Sequence, residues 1–458
     1  MYYEKDCICA KASGNGGAVS LIRMSGNLSF DILALCFTPV SKTKVDPSNK
    51  RIFFGTFIVN GDKVDEVLVT VFKAPNSYTG ENIVEISCHA SPYIEARILE
   101  ALMDNGARLA NPGEFTQRAF FNGKLDLSQA EGVADLIASQ SQAEHQLAMS
   151  QLSGGISGEM EKMRAELIHF TSMLELELDF GEEDVEFASR YEMKGLLSKL
   201  KSRVKSLIDS FAYGNAIKNG VPVAIVGKPN VGKSTLLNTL LREDIAIVSD
   251  IAGTTRDAIE ETCTIDGVLF RFIDTAGLRD TNDKIEAIGV QRAREKANKA
   301  LIVIYLYDNI NATLDDIKHA IDELQSNDNS IMLVENKIDE SISSCNKARG
   351  SIKGLEITRI SAKNNQNIDG LKQKLLANIN TLKGDTDVVL SNARHHQALK
   401  KSLESLEEVS EGLEEGLSNE LLSFHLRDCL SHLGSISGEI NTDRDILGNI
   451  FKNFCIGK

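Results

Sequence analysis

No part of this chain stays apolar for long. The longest uninterrupted run, Ala300 to Tyr307, falls well under the ~18 residues that a bilayer-spanning helix needs, so no helical membrane span is expected. The opening MYYEKDCICA lacks the apolar core of a secretory signal, and a cytoplasmic protein is expected. Cysteine is sparse and scattered: eight residues in 458, with no CxxC pair and no HxxxH spacing, which argues against a disulfide framework and structural zinc. Positive charge is also short. Fifty Lys and Arg against 65 Asp and Glu leave −15, and a surface of that sign does not coat nucleic acid, although a local basic pocket for one RNA stays open. Internal repeats and low-complexity tracts are absent.

What is present is an ordinary globular mix, 42% hydrophobic and 25% charged, unlike a disordered chain. At roughly 100–200 residues per domain, the length points to about three domains. Residues 1–120 carry strand signals, RIFFGTFIV and KVDEVLVTVF joined through Asn60-Gly61, then NIVEIS before a helix near 92–105, and read as an α+β domain. Residues 121–217 read as helical. Ser128 and Glu131 form an S-x-x-E capping box, and Ile156, Met160, Met163, Leu167, Phe170, Leu174 and Leu178 recur at helical spacing. A second stripe runs through Leu196, Leu200, Val204, Leu207 and Phe211. Residues 381–458 repeat the pattern with Leu399, Leu403, Leu406, Leu413, Leu417 and Leu421, so the two helical segments are expected to pack as one bundle around an insertion. In that insertion, residues 218–380, strand runs alternate with helical stretches, as in a doubly wound α/β sheet; Asp266-Gly267 marks a second hairpin.

The insertion holds the clearest chemistry. Gly227-Lys228-Pro229-Asn230-Val231-Gly232-Lys233-Ser234 fits G-x-x-x-x-G-K-[ST], follows the strand VPVAIV and precedes the helical Thr235-Leu-Leu run. Its backbone N–H groups can surround the β-phosphate, Lys233 can meet the β- and γ-phosphates, and the Ser234 hydroxyl can ligate magnesium. Downstream, Asp274-Thr275-Ala276-Gly277 follows a strand, placing a carboxylate near magnesium and an N–H near the γ-phosphate. Asn336-Lys337-Ile338-Asp339 follows another strand. The Asp339 carboxylate can accept hydrogens from guanine N1 and its exocyclic amine, whereas adenine would oppose a lone pair to it. Ser361, Ala362 and Lys363 fit the loop behind the base. Between the phosphate motifs, in DIAGTTRD, Thr255 reads as the second protein ligand of magnesium, which leaves Thr254 for another role. Leu278 stands where Ras-type proteins orient water with Gln, so a monomer should hydrolyse GTP slowly.

Three signatures carry a resemblance to the MnmE (TrmE) family of tRNA-modifying GTPases over essentially the whole chain: NPGEFTQRAFFNGKLDLSQAEGVADLI at 111–137, the GKPNVGKSTLLN and DIAGTTRD pair, and the terminal Phe454-Cys455-Ile456-Gly457-Lys458. The resemblance implies a homodimer whose Ras-like G domains meet across their nucleotides, with potassium held by Asn230 and Thr254 side chains and Ser249 and Ile251 carbonyls. It further implies that Glu286 orients water. It implies an N-terminal dimerisation domain binding a 5,10-methylene or 5-formyl tetrahydrofolate through Arg23, Glu85, Lys124 and Lys458. It also implies a heterotetramer with an FAD-containing MnmG-type (GidA) subunit that modifies C5 of the wobble uridine of certain tRNAs; the chain's acidic charge fits a partner that carries most of the tRNA surface. Taken alone, Arg23 and Lys124 read as surface charges, whereas Glu85, in an apolar strand, demands a partner. Cys455 reads either as a thiol nucleophile or as a small buried residue. His89 beside Cys88 reads as core or pocket lining rather than a metal pair, and the acidic run from Glu159 to Glu192 as a solvated face or a dock for a basic partner. The rival readings are a GTPase without folate chemistry and a ribosome-assembly switch, but the basic GXXG-bearing module that the second would need is not evident.

Overall fold

The computed structural model describes residues 6–14, 16–41, 52–179, 190–243, 261–273, 297–308, 312–325, 329–340, 351–384 and 386–438. The chain forms two compact units, one of Met1–Ile137, Ser150–Ser172 and Arg427–Lys458, the other of Ala138–Met149 and Met173–Leu426.

The first unit begins with β1 (Cys7–Lys11), β2 (Val19–Ser25), α1 (Ser29–Cys36), β3 (Phe37–Pro39), β4 (Ile52–Val59), β5 (Asp62–Phe72), β6 (Ile83–His89), α2 (Pro92–Asp104) and β7 (Ala107–Leu109). Its seven strands lie in the order β3-β4-β5-β6-β2-β1-β7, antiparallel except for β1 beside β7. The β4–β5 hairpin turns on Asn60 and Gly61, at φ of 52° and 91°, as the two-residue turn with both central residues at positive φ requires. Alternate residues of these strands, such as Val67, Val69 and Val71, pack into one core with Ile98 and Leu102 of α2.

α3 (Glu114–Phe121) and α4 (Leu127–Ala138) follow. The cap of α4 is not Ser128. The Gln129 N–H donates to Asp126 Oδ1 at 2.8 Å and the Asp126 N–H to Gln129 Oε1 at 2.9 Å, so the reciprocal box sits two residues earlier. Ser128 and Glu131 are both buried inside the helix. Beyond α5 (Gln142–Leu152), the predicted stripe of α6 (Gly155–Asp179) is buried from Ile156 through Leu174; Leu178 lies outside the described side chains.

In the second unit α7 (Arg190–Asp209) buries Met193, Leu197, Leu200, Val204 and Leu207; Leu197 takes the core position expected of Leu196, which is half-buried. After α8 (Phe211–Asn219) comes a G block: β8 (Val221–Val226), α9 (Lys233–Glu243), β9 (Glu261–Ile265), β10 (Val268–Phe272), β11 (Ile302–Asp308), α10 (Leu314–Leu324), β12 (Ser330–Asn336), β13 (Ser351–Ile352), β14 (Leu355–Arg359) and α11 (Ile368–Asn380). Its sheet order is β13-β14-β12-β11-β8-β10-β9, with parallel pairing from β14 through β10 and antiparallel edges. Both faces are covered. Val223, Ile225, Ile304 and Leu306 pack with Leu236 of α9 and Leu371 of α11, while Ala224, Val226, Val303 and Tyr305 pack with Ile317 and Ile321 of α10. The β9–β10 turn holds Asp266 and Gly267 at φ of 47° and 79°, as the sequence predicts.

The chain leaves the block beside where it enters. The Leu390 N–H donates to Ser210 Oγ at 3.0 Å, and a Cβ on Gly214 of α8 would stand 2.2 Å from the Leu390 carbonyl oxygen. α12 (Ala393–Glu415) then lies along α7, with Lys201 Nζ donating to Ser410 Oγ at 3.1 Å. Its stripe stops at Leu413. Gly416, at φ 75°, ends the helix in a left-handed cap, and in α13 (Asn419–Ser437) Leu422 turns inward while Leu421 stays exposed.

A charged cluster ties the first unit together. Arg118, fully buried, pairs with Asp6 at 2.7 Å, Glu81 at 3.1 Å and Glu114 at 2.9 Å, and Arg108 pairs with Asp6 and Glu114. Burial alone would raise the Glu114 pKa, but hydrogen bonds from Arg108, the Asn111 N–H and Arg118 outweigh it and hold the carboxyl below its ordinary range. Such a lowered group stabilises the fold fully above its unfolded value of about 4.3 and loses that contribution as pH falls through the folded value. Arg118→Met takes the cation from Glu81 and leaves Asp6 and Glu114 to Arg108 alone, and urea unfolding followed by circular dichroism should show a loss of about 3 kcal/mol at pH 7 that shrinks near pH 3. An unchanged transition at pH 7 would show that the cluster contributes nothing.

Candidate functional site

The candidate nucleotide site is built where parallel strands end. β8 runs into the phosphate loop, and two of its glycines leave no space for a side chain: a Cβ on Gly227 would lie 2.1 Å from the Leu306 carbonyl oxygen, and one on Gly232, at φ 98°, 2.3 Å from Asn336 Nδ2. Asn230 is exposed at φ 63°, a conformation that Asn tolerates. Val231 is buried beneath the loop. Lys233, the first residue of α9, donates through Nζ to the carbonyls of Gly227 and Lys228, both at 2.8 Å, so its ammonium spans the loop. Ser234 and Thr235 follow in the first turn of α9.

Asn336, almost fully buried at the end of β12, joins this loop to the base site. Its Nδ2 donates to the Val231 carbonyl at 2.8 Å, and its Oδ1 accepts from the Ala362 N–H at 3.0 Å. The carbonyl of Ala362 accepts in turn from the Thr239 hydroxyl of α9 at 2.9 Å. Lys337, at φ 62°, reaches back to the buried Asp308 at the end of β11, 3.1 Å away. Asp339 is exposed, and the Ser361 hydroxyl, assisted by the Lys363 charge, holds its carboxyl below the ordinary range, so it is ionised at neutral pH. Buried Ser361 is fixed by its two-way backbone pairing with Gln366 and by accepting the Asn364 N–H at 3.3 Å. The phosphate loop, Asn336, Ser361 and Ala362 thus form one bonded frame. Ser249, Ile251, Thr254, Thr255, Asp274, Thr275, Ala276, Gly277, Glu286, Cys455 and Lys458 lie outside the described residues.

A second constellation stands on the N-terminal sheet. Arg23 of β2 and Glu85 of β6 are directly opposite in register, and Arg23 Nε donates to Glu85 Oε1 at 2.9 Å. Arg23 is therefore no surface charge; its guanidinium lies 5.6 Å from the Tyr78 ring centre and 5.7 Å from that of Phe115. Burial raises the Tyr78 pKa, and the hydroxyl meets Thr116 Oγ1 at 2.9 Å. Lys124 is exposed, with its stem beside Gly80. Of the two readings of His89, core packing is excluded: its ring is largely exposed and hydrogen-bonded through Nδ1 to Asp65 at 2.8 Å. The six described cysteines are all buried, and burial pushes Cys7 and Cys88 up to about 11 and Cys9 up to about 12, so these three offer no thiolate at neutral pH. Among the described residues no three His, Cys, Asp or Glu side chains gather as a metal site, and no helix is long and apolar enough to cross a membrane.

Asp308, Thr239, Tyr78 and Phe115 were not singled out in the sequence. Only Asp308 had a signal there, as the lone charge closing the longest apolar run.

Comparison with known proteins assigns the family. A family model described as the GTP-binding protein TrmE N-terminus matches residues 7–124, and one described as the MnmE helical domain matches residues 127–455. The chain belongs to the MnmE family of tRNA modification GTPases. Proteins called tRNA modification GTPase MnmE are similar to it end to end: that of Christiangramia forsetii is 47% identical, covering 99% of each chain, and that of Cytophaga hutchinsonii 49% identical, covering 99% of this chain and 98% of that one. Among solved structures, the FeoB G domains of T. maritima and Methanococcus jannaschii align with 34% and 35% of this chain at 22% and 25% identity, with TM-scores of 0.24 and 0.26, too low to argue from. As an MnmE-family member the chain is a GTP hydrolase, with a G domain and a helical domain in a multidomain architecture.

The frame predicts its own weak point. Asn336→Ala strands the Val231 carbonyl and the Ala362 N–H, and at about 1–3 kcal/mol for an unpaired buried group, GDP affinity should fall about 10- to 100-fold in a fluorescent-nucleotide titration. Undiminished affinity would mean that the frame is not needed for binding.

Proposed function

We propose that the chain is a potassium-activated GTPase that acts as a homodimer with an FAD-containing MnmG-type partner in the cytoplasm. The complex would add an aminomethyl or carboxymethylaminomethyl group to C5 of the wobble uridine of certain tRNAs. The one-carbon unit would come from a methylene- or formyl-tetrahydrofolate, and GTP hydrolysis would drive G-domain pairing and conformational switching rather than the alkylation itself. Family membership supports this reading, and the observation that carries it is the bonded frame, in which one buried amide, that of Asn336, links a phosphate loop to a base-selecting loop. A mere Gly-rich turn has no use for that link.

In this reading the Lys233 ammonium leaves the Gly227 and Lys228 carbonyls for the β- and γ-phosphates. Asp339 accepts guanine N1–H and the exocyclic amine, its carboxylate kept ionised by Ser361. Ser234 offers magnesium a hydroxyl oxygen, the hard donor it takes, and Thr255 would be the second protein ligand. Potassium would be held by Asn230, Thr254 and the carbonyls of Ser249 and Ile251; described Asn230, exposed in the loop with a neutral oxygen donor, fits that ion. When bound, it supplies charge that offsets what develops on the transferring phosphoryl group. Glu286 orients the attacking water in place of the glutamine that Leu278 replaces.

On the N-terminal sheet, Arg23, Glu85, Lys124 and Lys458 would bind the folate. Glu85 fits the donor edge of a pterin, and the partly exposed Tyr78 ring beside Arg23 suits a flat heterocycle. Cys455 remains either a thiol for the transfer or a packing residue.

Two measurements test the proposal. Exchange of potassium for sodium should lower GTP turnover of the full chain at least about 10-fold and prevent GDP–aluminium fluoride from pairing the G domains; equal turnover with the G domains unpaired in both salts would overturn the potassium mechanism. Glu85→Gln should weaken 5-formyl-tetrahydrofolate binding about 10-fold or more in calorimetry while leaving GDP affinity intact. Folate binding that survives the change would remove Glu85 from the pocket.

A further inference from the structure

One side chain of the phosphate loop faces a helix rather than the nucleotide. Lys228 Nζ donates to Asp316 Oδ2 at 2.9 Å, and both side chains are about half exposed. That same oxygen accepts the Thr313 N–H at 3.2 Å, while the Asp316 N–H donates to Thr313 Oγ1 at 3.2 Å, the reciprocal capping box that starts α10. Asp316 is thereby fixed to the rigid end of a helix whose Ile317 and Ile321 are buried under the sheet. At the other end of the link, the backbone carbonyl of Lys228 is one of the two that hold the Lys233 ammonium. An unbroken chain of contacts therefore runs from the α10 cap, through the Lys228 side chain and carbonyl, to the residue that meets the phosphates.

We infer that the Asp316–Lys228 ion pair is a positioning device for nucleotide binding, holding the phosphate loop in the conformation that presents Lys233. This rests on the nucleotide reading of that loop. The Asn336 bond to the Val231 carbonyl holds the far end of the loop, whereas Lys228, Pro229 and Asn230 between are all exposed. A loop left to sample other conformations binds with an affinity reduced by the fraction of time it is competent. Exposed ion pairs are individually weak, so the expected effect is small and salt-dependent. It is also common to GDP and GTP, because both carry the β-phosphate that Lys233 meets.

A double-mutant cycle on the full chain decides it. Asp316→Asn keeps an oxygen for the Thr313 N–H, so the helix cap survives while the charge goes; Lys228→Met keeps the stem and removes the ammonium. Each single change should weaken GDP and GTP binding about two- to fivefold, the double variant no further than either, and the difference should vanish at about 1 M salt. Lys228→Arg, which keeps a cation facing Asp316, should restore most of the affinity. Additive losses, no loss, or a fall in Tm with nucleotide affinity unmoved would each overturn the role. Wild-type chain that fails to bind GDP at all would instead bring down the nucleotide reading itself.

Discussion

The side-chain amide of Asn336 is the contact on which the candidate nucleotide site depends. It has one donor face and one acceptor face, and spends both on backbone groups of two different loops, the Val231 carbonyl and the Ala362 N–H. Because the amide is buried, neither bond is traded cheaply for water, and the two loops are held at one spacing before any ligand arrives. The glycine at 232 follows from the same contact, since a side chain there would occupy the space that the amide nitrogen fills.

The sheet explains why such a contact is available. β8 and β12 are separated only by β11, all three parallel, so the phosphate loop and the base loop emerge on the same edge. Asp308 at the end of β11 receives Lys337 from the end of β12, a second tie along that edge. On the N-terminal sheet the same logic works across antiparallel strands: register places Arg23 against Glu85, and the burial that would penalise either charge alone favours the pair. Both sites therefore use charged or amide groups at strand positions where the backbone is already fixed.

Much of this was legible because the signals are local. Asn60-Gly61 and Asp266-Gly267 had to be tight turns, since both residues of each pair take positive φ where few others would. The phosphate loop and the Asn336-Lys337 motif could be placed because each closes an apolar strand. Errors arose where two local solutions compete. Asp126-x-x-Gln129 and Ser128-x-x-Glu131 are overlapping boxes, and the sequence alone does not rank them. The leucine stripe of α12 was carried past Gly416, a residue whose left-handed backbone ends the helix. The buried Cys88 gives no guide to its strand neighbour His89, because a period of two puts them on opposite faces. Nothing local could reveal Arg23 with Glu85 or Lys228 with Asp316, partners 62 and 88 residues apart.

The central claim is that the nucleotide frame is assembled before GTP enters. Amide hydrogen exchange at Ala362 in the nucleotide-free chain tests it directly. The Asn336 bond predicts an amide strongly protected from exchange without nucleotide and changed little by adding GDP. Exchange at the rate of an open loop until GDP is added would contradict it, and would make the frame a product of binding.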